Sequence, residues 1–316
     1  MGGAASKRGD DTSSSARTRV GSTVMTQREP AQTWTIGKVL EWATADFRTR
    51  GLPSPRLDAD VLLAFALGET RVKLVIDRDR PLSPTDLARF RDLVKRRRAH
   101  EPVAYLVGVR EFYGRPFKVD ARVLVPRPDT EALVDAALSR TAHVSLSLRA
   151  LDLCTGSGCV GVTIARERPT SRVHATDTSE AALAVARDNA LRLGAYNVSF
   201  ALGDLFSPLD PRSRFDLVVA NPPYIASAEV LELAPDIKDH EPRAAVDGGA
   251  DGLDVIRRIA EGAPRFLVPK GALAVEVGAG QAAETTRLFT ARGFEAVAAT
   301  RDYAGIDRVV AGRWPG

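Results

Sequence analysis

The stretch ALDLCTGSGCVG, residues 150–161, runs a short apolar segment into three glycines and out into a second apolar segment. A strand that ends in a glycine turn and opens a helix is the first half of a βαβ unit. Downstream, strand and helix patterns alternate: ALDLC, a helix near 159–167, RVHATD, a helix at 179–193, VSFALGD, FDLVVA, a helix near 252–267, ALAVEVG, a helix near 281–291, and two late strands, FEAVAAT and DRVVAGR. This alternation predicts an α/β fold with a mostly parallel sheet and helices on both faces.

Upstream the pattern changes. From Thr33 to about Leu106 the apolar residues recur at helical spacing. Trp34, Val39, Leu40, Trp42 and Phe47 make one face, Leu57, Val61, Leu62, Phe65 and Ala66 a second, and Leu87, Phe90, Leu93 and Val94 a third. Prolines at 53, 55, 81 and 84 punctuate these helices, with Ser54 or Ser83 as caps. The segment EFYGRPFKVDARVLVP (111–126) alternates as a strand does and reads as a hairpin turning at Gly114-Arg115-Pro116. A helix from about Pro128 to Ser139 follows. The expected organisation is a polar, disordered tail over 1–30, a small helical domain over 31–108, a β-hairpin linker over 109–126, and the α/β domain over 127–316. Met25 lies within the tail and is a candidate start; Asp10 and Asp11 argue against a transit peptide.

Composition narrows the function classes. With 44% hydrophobic and 27% charged residues and a net charge of +4, the chain reads as an ordinary soluble protein with a mild basic tilt. No run approaches the roughly 18 apolar residues of a membrane span. The two cysteines, Cys154 and Cys159, fit neither a disulfide framework nor a zinc pattern, so a reducing, cytoplasmic setting is expected and no metal site is.

GSGCVG (156–161) matches the dinucleotide fingerprint G-x-G-x-x-G. It also lies inside D-x-x-x-G-x-G, starting at Asp152, a pattern of S-adenosylmethionine sites. A pyrophosphate needs the bare helix N-terminus; a methionine zwitterion needs close approach and an acceptor for its ammonium, which Asp152 can help orient. Asp177, at the next strand's end, suits the ribose hydroxyls of either ligand. Asp204, after the third strand, is placed for an adenine amino group, with Leu205 and Phe206 available to flank the ring. Three successive strand-end acids around one glycine loop favour the S-adenosylmethionine reading.

The fourth strand, FDLVVA, ends in NPPYI (221–225). A planar amide or aryl amine nitrogen is a poor nucleophile, because its lone pair is delocalised. If the Asn221 side-chain oxygen and the Pro222 carbonyl each accept one N–H, the nitrogen is oriented and its developing positive charge meets two fixed dipoles. Pro222 and Pro223 fix their φ angles and lack N–H groups, which aims the carbonyl. Tyr224 offers an aromatic face for a planar group. Adenine in DNA, guanine in RNA and glutamine in protein all qualify as the acceptor.

Beyond these motifs the chain carries YLVGVREFYGRPFKVDARVLVPRPDTEALV (105–134), DTSEAALAVARDNA (177–190), GDLFSPL, HEPRAAVDGGADGLD (240–254) and DYAGIDRVVAGR (302–313). With these it resembles the HemK/PrmC family, the glutamine methyltransferases of peptide chain release factors, from about Thr33 to Arg313. The resemblance implies a Rossmann-like, seven-stranded class I methyltransferase sheet, parallel except for one late strand, joined to the helical substrate-docking domain. It implies transfer of a methyl from S-adenosylmethionine to the glutamine nitrogen of a Gly-Gly-Gln motif in bacterial-type release factors. It also implies that Asn221, Pro222, Pro223 and Tyr224 hold the substrate amide, with Phe112 reaching toward the transfer centre. The cofactor would lie against Asp152, Cys154, Thr155, Gly156, Ser157, Gly158, Asp177, Asp204, Leu205 and Asn221.

PRPDTE matches the family's P-R-P-E-T-E, and Arg127 and Glu131 are expected to pair or to border the cofactor mouth. His240 is read as structural. Cys154 stands where the family has glycine. A monomer is expected, with no membrane and no nucleic-acid substrate. The competing readings are a glutamine methyltransferase of a large-subunit ribosomal protein, a nucleic-acid amino methyltransferase, which would need a target-recognition domain the chain has no room for, and a non-catalytic cofactor module, which would predict a broken clamp.

Overall fold

The structure is a computed structural model that describes residues 33–144, 146–302 and 304–316; the expectations for the first 30 residues lie outside it.

Five helices build the N-terminal part: α1 (Ile36–Thr49), α2 (Pro55–Leu67), α3 (Arg71–Ile76), α4 (Pro84–Arg98) and α5 (Val103–Val107). Ser83 and Asp86 form a reciprocal capping box at the start of α4, with Pro84 in its first turn, which satisfies amides the helix itself leaves open. Ser54 precedes α2 without a side-chain cap bond. Phe47, Leu62, Leu63, Leu74, Phe90 and Val94 form the shared core.

Two differences from the sequence pattern stand out. The short α3 and α5 are too brief to show helical periodicity. In α2 the buried stripe runs through Ala59, Leu62, Leu63 and Ala66, so Leu57 and Phe65 face outward. Trp42 is also exposed and packs edge-on against Trp34, with the Arg98 guanidinium over its ring.

Strands β1 (Val109–Phe112) and β2 (Arg115–Lys118) pair antiparallel. The turn lies at Tyr113-Gly114, one residue earlier than the Gly-Arg-Pro reading. Both residues have positive φ, 51° and 69°, as a two-residue hairpin turn matched to strand twist requires. Pairing ends at Lys118, and Val119, Val123 and Val125 continue as buried chain against Tyr105 and Val185.

The sheet comprises β3 (Arg149–Leu153), β4 (Arg172–Asp177), β5 (Val198–Leu202), β6 (Phe215–Ala220), β7 (Leu267–Glu276), β8 (Glu295–Arg301) and β9 (Asp307–Arg313), in the order β5-β4-β3-β6-β7-β9-β8. Strands β3 to β7 pair parallel, while β9 runs antiparallel to both its neighbours. The helices are α6 (Glu131–Arg140), α7 (Cys159–Glu167), α8 (Glu180–Arg192), the short α9 (Pro235–Lys238), α10 (Asp254–Gly262) and α11 (Ala282–Ala291).

Alternation along the strands sorts the core into two layers. Leu217 and Val219 of β6 pack with residues of α6 and α7 on one face; Val218 and Ala220 pack with residues of α10 and α11 on the other. Because both faces are covered, the central stretches of β3, β6 and β7 are mostly apolar, residues 150–151, 217–220 and 272–275 among them.

Inside the helical part, Arg97 of α4 donates from Nε to Asp58 Oδ2 of α2 at 2.8 Å, and both residues are buried. Asp58→Ala leaves that guanidinium without its counter-charge, an expected loss of about 3–5 kcal/mol. The check is the denaturant midpoint of the full chain, with Asp60→Ala, which removes the half-buried partner of the exposed Arg56, expected to shift it far less.

Candidate active site

The strand order reverses between β3 and β6, since the chain leaves β3 toward β4 and β5 and returns to its other side with β6. Crevices open at such switch points, beyond the strands' carboxyl ends. Register then decides what meets there. Leu153 pairs with Ala220, so the next residues on each strand, Cys154 and Asn221, emerge side by side. A cavity of roughly 490 Å³ occupies the crevice, within the range of small-molecule sites.

One wall is the glycine loop. Asp152, 1% exposed, accepts at Oδ2 from the Thr155 hydroxyl at 2.6 Å and from the Gly161 N–H at 2.9 Å. Burial pushes its pKa up to about 7, against the opposing pull of these two donors. Gly161 permits the approach: a Cβ there would lie 2.8 Å from Asp152 Oδ2. Cys154, Thr155, Gly156 and Ser157 line the cavity. Gly158 does not; it caps α7 and packs on Ala186.

Asp177, at the end of β4, accepts from Gly156 N through Oδ2 and from Ser179 N through Oδ1, each at 2.9 Å. Its carboxylate is thereby fixed and faces the cavity; burial raises its pKa, with the Gly156, Ser179 and Thr178 amides opposing.

Asp204 and Leu205 also line the cavity. Asp204 is exposed and ion-paired with Arg258 of α10. Phe206 is displaced from the expected place: its ring stacks on the half-buried Phe266 at 5.0 Å, against the edge of the core, and it does not line the cavity. The guanidiniums at the cavity are committed to carboxylates, Arg258 to Asp204, Arg122 to Asp120 and Arg127 to Glu241.

The NPPY segment divides in two. Asn221 and Pro223 line the cavity, while Pro222 is buried behind them. Asn221 donates from Nδ2 to Thr130 Oγ1 at 3.2 Å. Its Oδ1 takes no hydrogen bond within the described residues, and neither does the Pro222 carbonyl. Tyr224 packs against the α10–α11 side of the core and donates its hydroxyl to Glu276 Oε1 at 3.3 Å. Burial, with the Glu276 charge beside it, holds the phenol far above its ordinary pKa.

The segment is gripped by the loop after α9. Ile225 N donates to Val246 O and Gly248 N to Ile225 O, at 2.9 and 2.8 Å. Gln281 donates from Nε2 to Tyr224 O at 2.8 Å while its Oε1 accepts from Gly278 N.

Phe112 corrects an expectation. It is 1% exposed, packed edge-on against Phe117 at 5.9 Å, because alternation along the hairpin turns both rings into the core; it does not line the cavity. Arg127 and Glu131 do not pair either. Arg127 reaches Glu241 at 2.8 Å, and Glu131 accepts from Tyr113 N at 2.7 Å. His240 contacts the Ala99 carbonyl of the helical part at 2.8 Å.

Three residues at the site escaped sequence reasoning: Thr130, Glu276 and Gln281. Thr130 lies within PRPDTE, whose charged residues drew the attention, and Glu276 ends a strand that otherwise reads as core. Among the described residues no cluster suits a metal ion, and no helix is long and apolar enough to cross a membrane.

Two family matches divide the chain as the fold does: residues 38–108 match the PrmC N-terminal domain and residues 130–240 the methyltransferase small domain. The release factor glutamine methyltransferase of Geobacter sulfurreducens is 45% identical over 285 residues, 90% of this chain and 99% of that protein. That of Burkholderia pseudomallei is 44% identical over 87% of this chain and 97% of its own length. Among solved structures, the hMettl16 catalytic domain in complex with MAT2A 3'UTR hairpin 6 superposes with a TM-score of 0.52 at 15% identity, covering 67% of this chain and 79% of that one, a likeness of fold. With near full-length identity above 40%, the helical domain and the methyltransferase sheet in one order, this chain belongs to the release factor glutamine methyltransferase family.

Proposed function

We propose that the protein methylates the side-chain nitrogen of the glutamine in the Gly-Gly-Gln motif of bacterial-type peptide chain release factors, with S-adenosylmethionine as donor, acting as a monomer in the cytoplasm. The observation that carries the reading is the pair of uncommitted acceptors, Asn221 Oδ1 and the Pro222 carbonyl, on the segment that flanks the glycine-loop cavity. Two acceptors match the two N–H groups of a primary amide. The family's full-length similarity supplies the substrate class.

The cavity's donor set suits the proposed cofactor. Asp152 and Asp177 offer carboxylate oxygens to an ammonium and to ribose hydroxyls, while the nearby guanidiniums are already paired. A pyrophosphate would meet the same carboxylates as like charges, with no unpaired guanidinium lining the cavity among the described residues to offset them. S-adenosylmethionine, when bound, supplies a methyl group on a positively charged sulfur, which keeps the bonding electron pair as the methyl departs.

The chain's residues do the rest by orientation. Asn221 Oδ1 and the Pro222 carbonyl accept the two amide N–H groups, so the amide plane is fixed with the nitrogen's lone pair, which stands normal to that plane, directed at the donor. As the new N–C bond forms, positive charge gathers on the nitrogen, and the two oxygen dipoles stabilise it without reorganising. The nitrogen then releases one proton to water, and no side-chain base of raised basicity is required.

Asn221→Ala should lower turnover by about a hundredfold to a thousandfold, the range for losing one preorganised polar group at a reacting centre. Mass spectrometry of the release factor's Gly-Gly-Gln peptide checks it; a gain of one methyl with the wild type and an equal gain with the variant would reject the clamp. Asp177→Ala should weaken S-adenosylmethionine binding by about 1.5–3 kcal/mol, as expected for hydrogen bonds to a charged group, read by calorimetric titration.

Gly252 has φ 76°, and a Cβ there would sit 2.3 Å from the Tyr224 carbonyl oxygen. Gly252→Ala therefore pushes on the clamp's backbone, and kcat should fall by about tenfold or more while cofactor affinity holds; steady-state kinetics beside the same titration separates the two.

A further inference from the structure

Both ends of the NPPYI segment lead back to one residue, Arg127. At the first end, Asn221 donates from Nδ2 to the Thr130 hydroxyl at 3.2 Å. Thr130 is held in turn by its own N–H, which donates to the Arg127 carbonyl at 3.1 Å. At the last end, Ile225 N donates to Val246 O at 2.9 Å and Ile225 O accepts from Gly248 N at 2.8 Å. The loop that carries Val246 and Gly248 is tied to Arg127 as well, whose Nη2 donates to Glu241 Oε1 at 2.8 Å. These bonds and the chain between them close a ring around the clamp, and Arg127 sits on it twice, by main chain and by side chain.

The ion pair is built as a fixed strut. Glu241 is 7% exposed and does not line the cavity, while Arg127 is half-buried and does. A carboxylate withdrawn from water in this way is costly unless it is paired, and the transfer chemistry asks nothing of it. Arginine suits a strut, because its rigid planar fork holds direction as well as charge.

The loop also lies directly against the clamp's backbone. A Cβ on Gly248 would sit 2.7 Å from the Pro223 carbonyl oxygen and 2.9 Å from the Tyr224 Cα. No space separates the two segments there, so a displacement of the loop is passed to the segment. In the first half of the loop the main-chain bonds stay local, Glu241 N to Ile237 O and Ala245 N to Pro242 O. The Glu241 side chain is what fastens that half to the chain leading into α6.

We propose that Arg127 and Glu241 are positioning residues for the methyl transfer. Their ion pair fixes the loop against which the NPPY backbone lies, and with it the depth at which Asn221 Oδ1 and the Pro222 carbonyl face the cavity. The inference rests on the clamp reading of those two acceptors. A displacement on the order of 1 Å at a reacting centre costs about a hundredfold in rate, so a strut remote from the chemistry is felt in turnover.

The test uses the full chain with S-adenosylmethionine and a bacterial-type release factor. Four variants are compared: Arg127→Met, Glu241→Met, the two combined, and Asn221→Ala. Methionine fills the space but is flexible and fixes no direction. Each of the first three should lower kcat by about tenfold to a hundredfold and kcat/KM for the release factor by the same factor. Equal loss in both constants marks an interaction expressed in the transition state. Cofactor affinity, read by calorimetric titration, should change by less than about threefold. The combined variant should lose no more than the worse single one, because both remove the same bond.

A raised KM for the release factor at unchanged kcat makes the pair a docking element and overturns the positioning role. Full turnover in Glu241→Met, or losses that multiply in the combined variant, overturns it too, since the two side chains then act separately. If a single variant leaves a charge buried alone and does not fold, the combined variant, which removes both charges, decides, and full turnover there overturns the proposal. Full turnover in Asn221→Ala overturns the clamp instead.

Discussion

The pairing of Leu153 with Ala220 across β3 and β6 is the constraint on which the site depends. One strand carries the glycine loop and the other the NPPY segment, and the parallel register delivers both to the same depth at the sheet's carboxyl edge. A slip by one residue would turn Leu151, Leu153, Val218 and Ala220 out of the core layer they fill, so burial on both faces locks the register. The geometry of a polar site is in this sense fixed by apolar side chains that never touch a ligand.

Around this constraint the polar groups act in tiers. Asp152 and Asp177 hold the glycine loop by accepting from Gly161 and Gly156, which gives the cavity its shape before anything enters it. The segment at the end of β6 is held by main-chain bonds to Val246 and Gly248, by Gln281, and from below by Thr130 and Glu276. Preorganisation of this kind suits a reaction in which orientation and fixed dipoles carry the chemistry.

Much of this was legible in the sequence. The alternation after Arg149 predicts the seven strands, because central strands buried on both faces read as short apolar runs between helical patterns, while the one antiparallel late strand follows from the family resemblance. The strand-end acids and Asn221 are legible because their position relative to a strand's end is a local property. Phe112, Phe206 and the partners of Arg127 were not. Two depend on contacts between distant segments, Phe206 with Phe266 and Arg127 with Glu241 more than a hundred positions away, and Phe112 on a local turn displaced by one residue, across which it packs on Phe117. Thr130 and Glu276 were hidden for a related reason, since a hydroxyl in a helix start and an acid at a strand end each look ordinary alone.

Asn189 of α8 accepts from Lys118 N at 2.7 Å and donates to Lys118 O and to Ser157 O, at 3.0 and 2.9 Å. One side chain thus fastens the end of β2 and the glycine loop to a common point. Anything that stills the loop also stills the hairpin that leads to the helical domain, at the expense of Asn189's own freedom. Solvent exchange of the Lys118 amide proton therefore becomes a remote gauge of what occupies the crevice, read from a residue that does not border it.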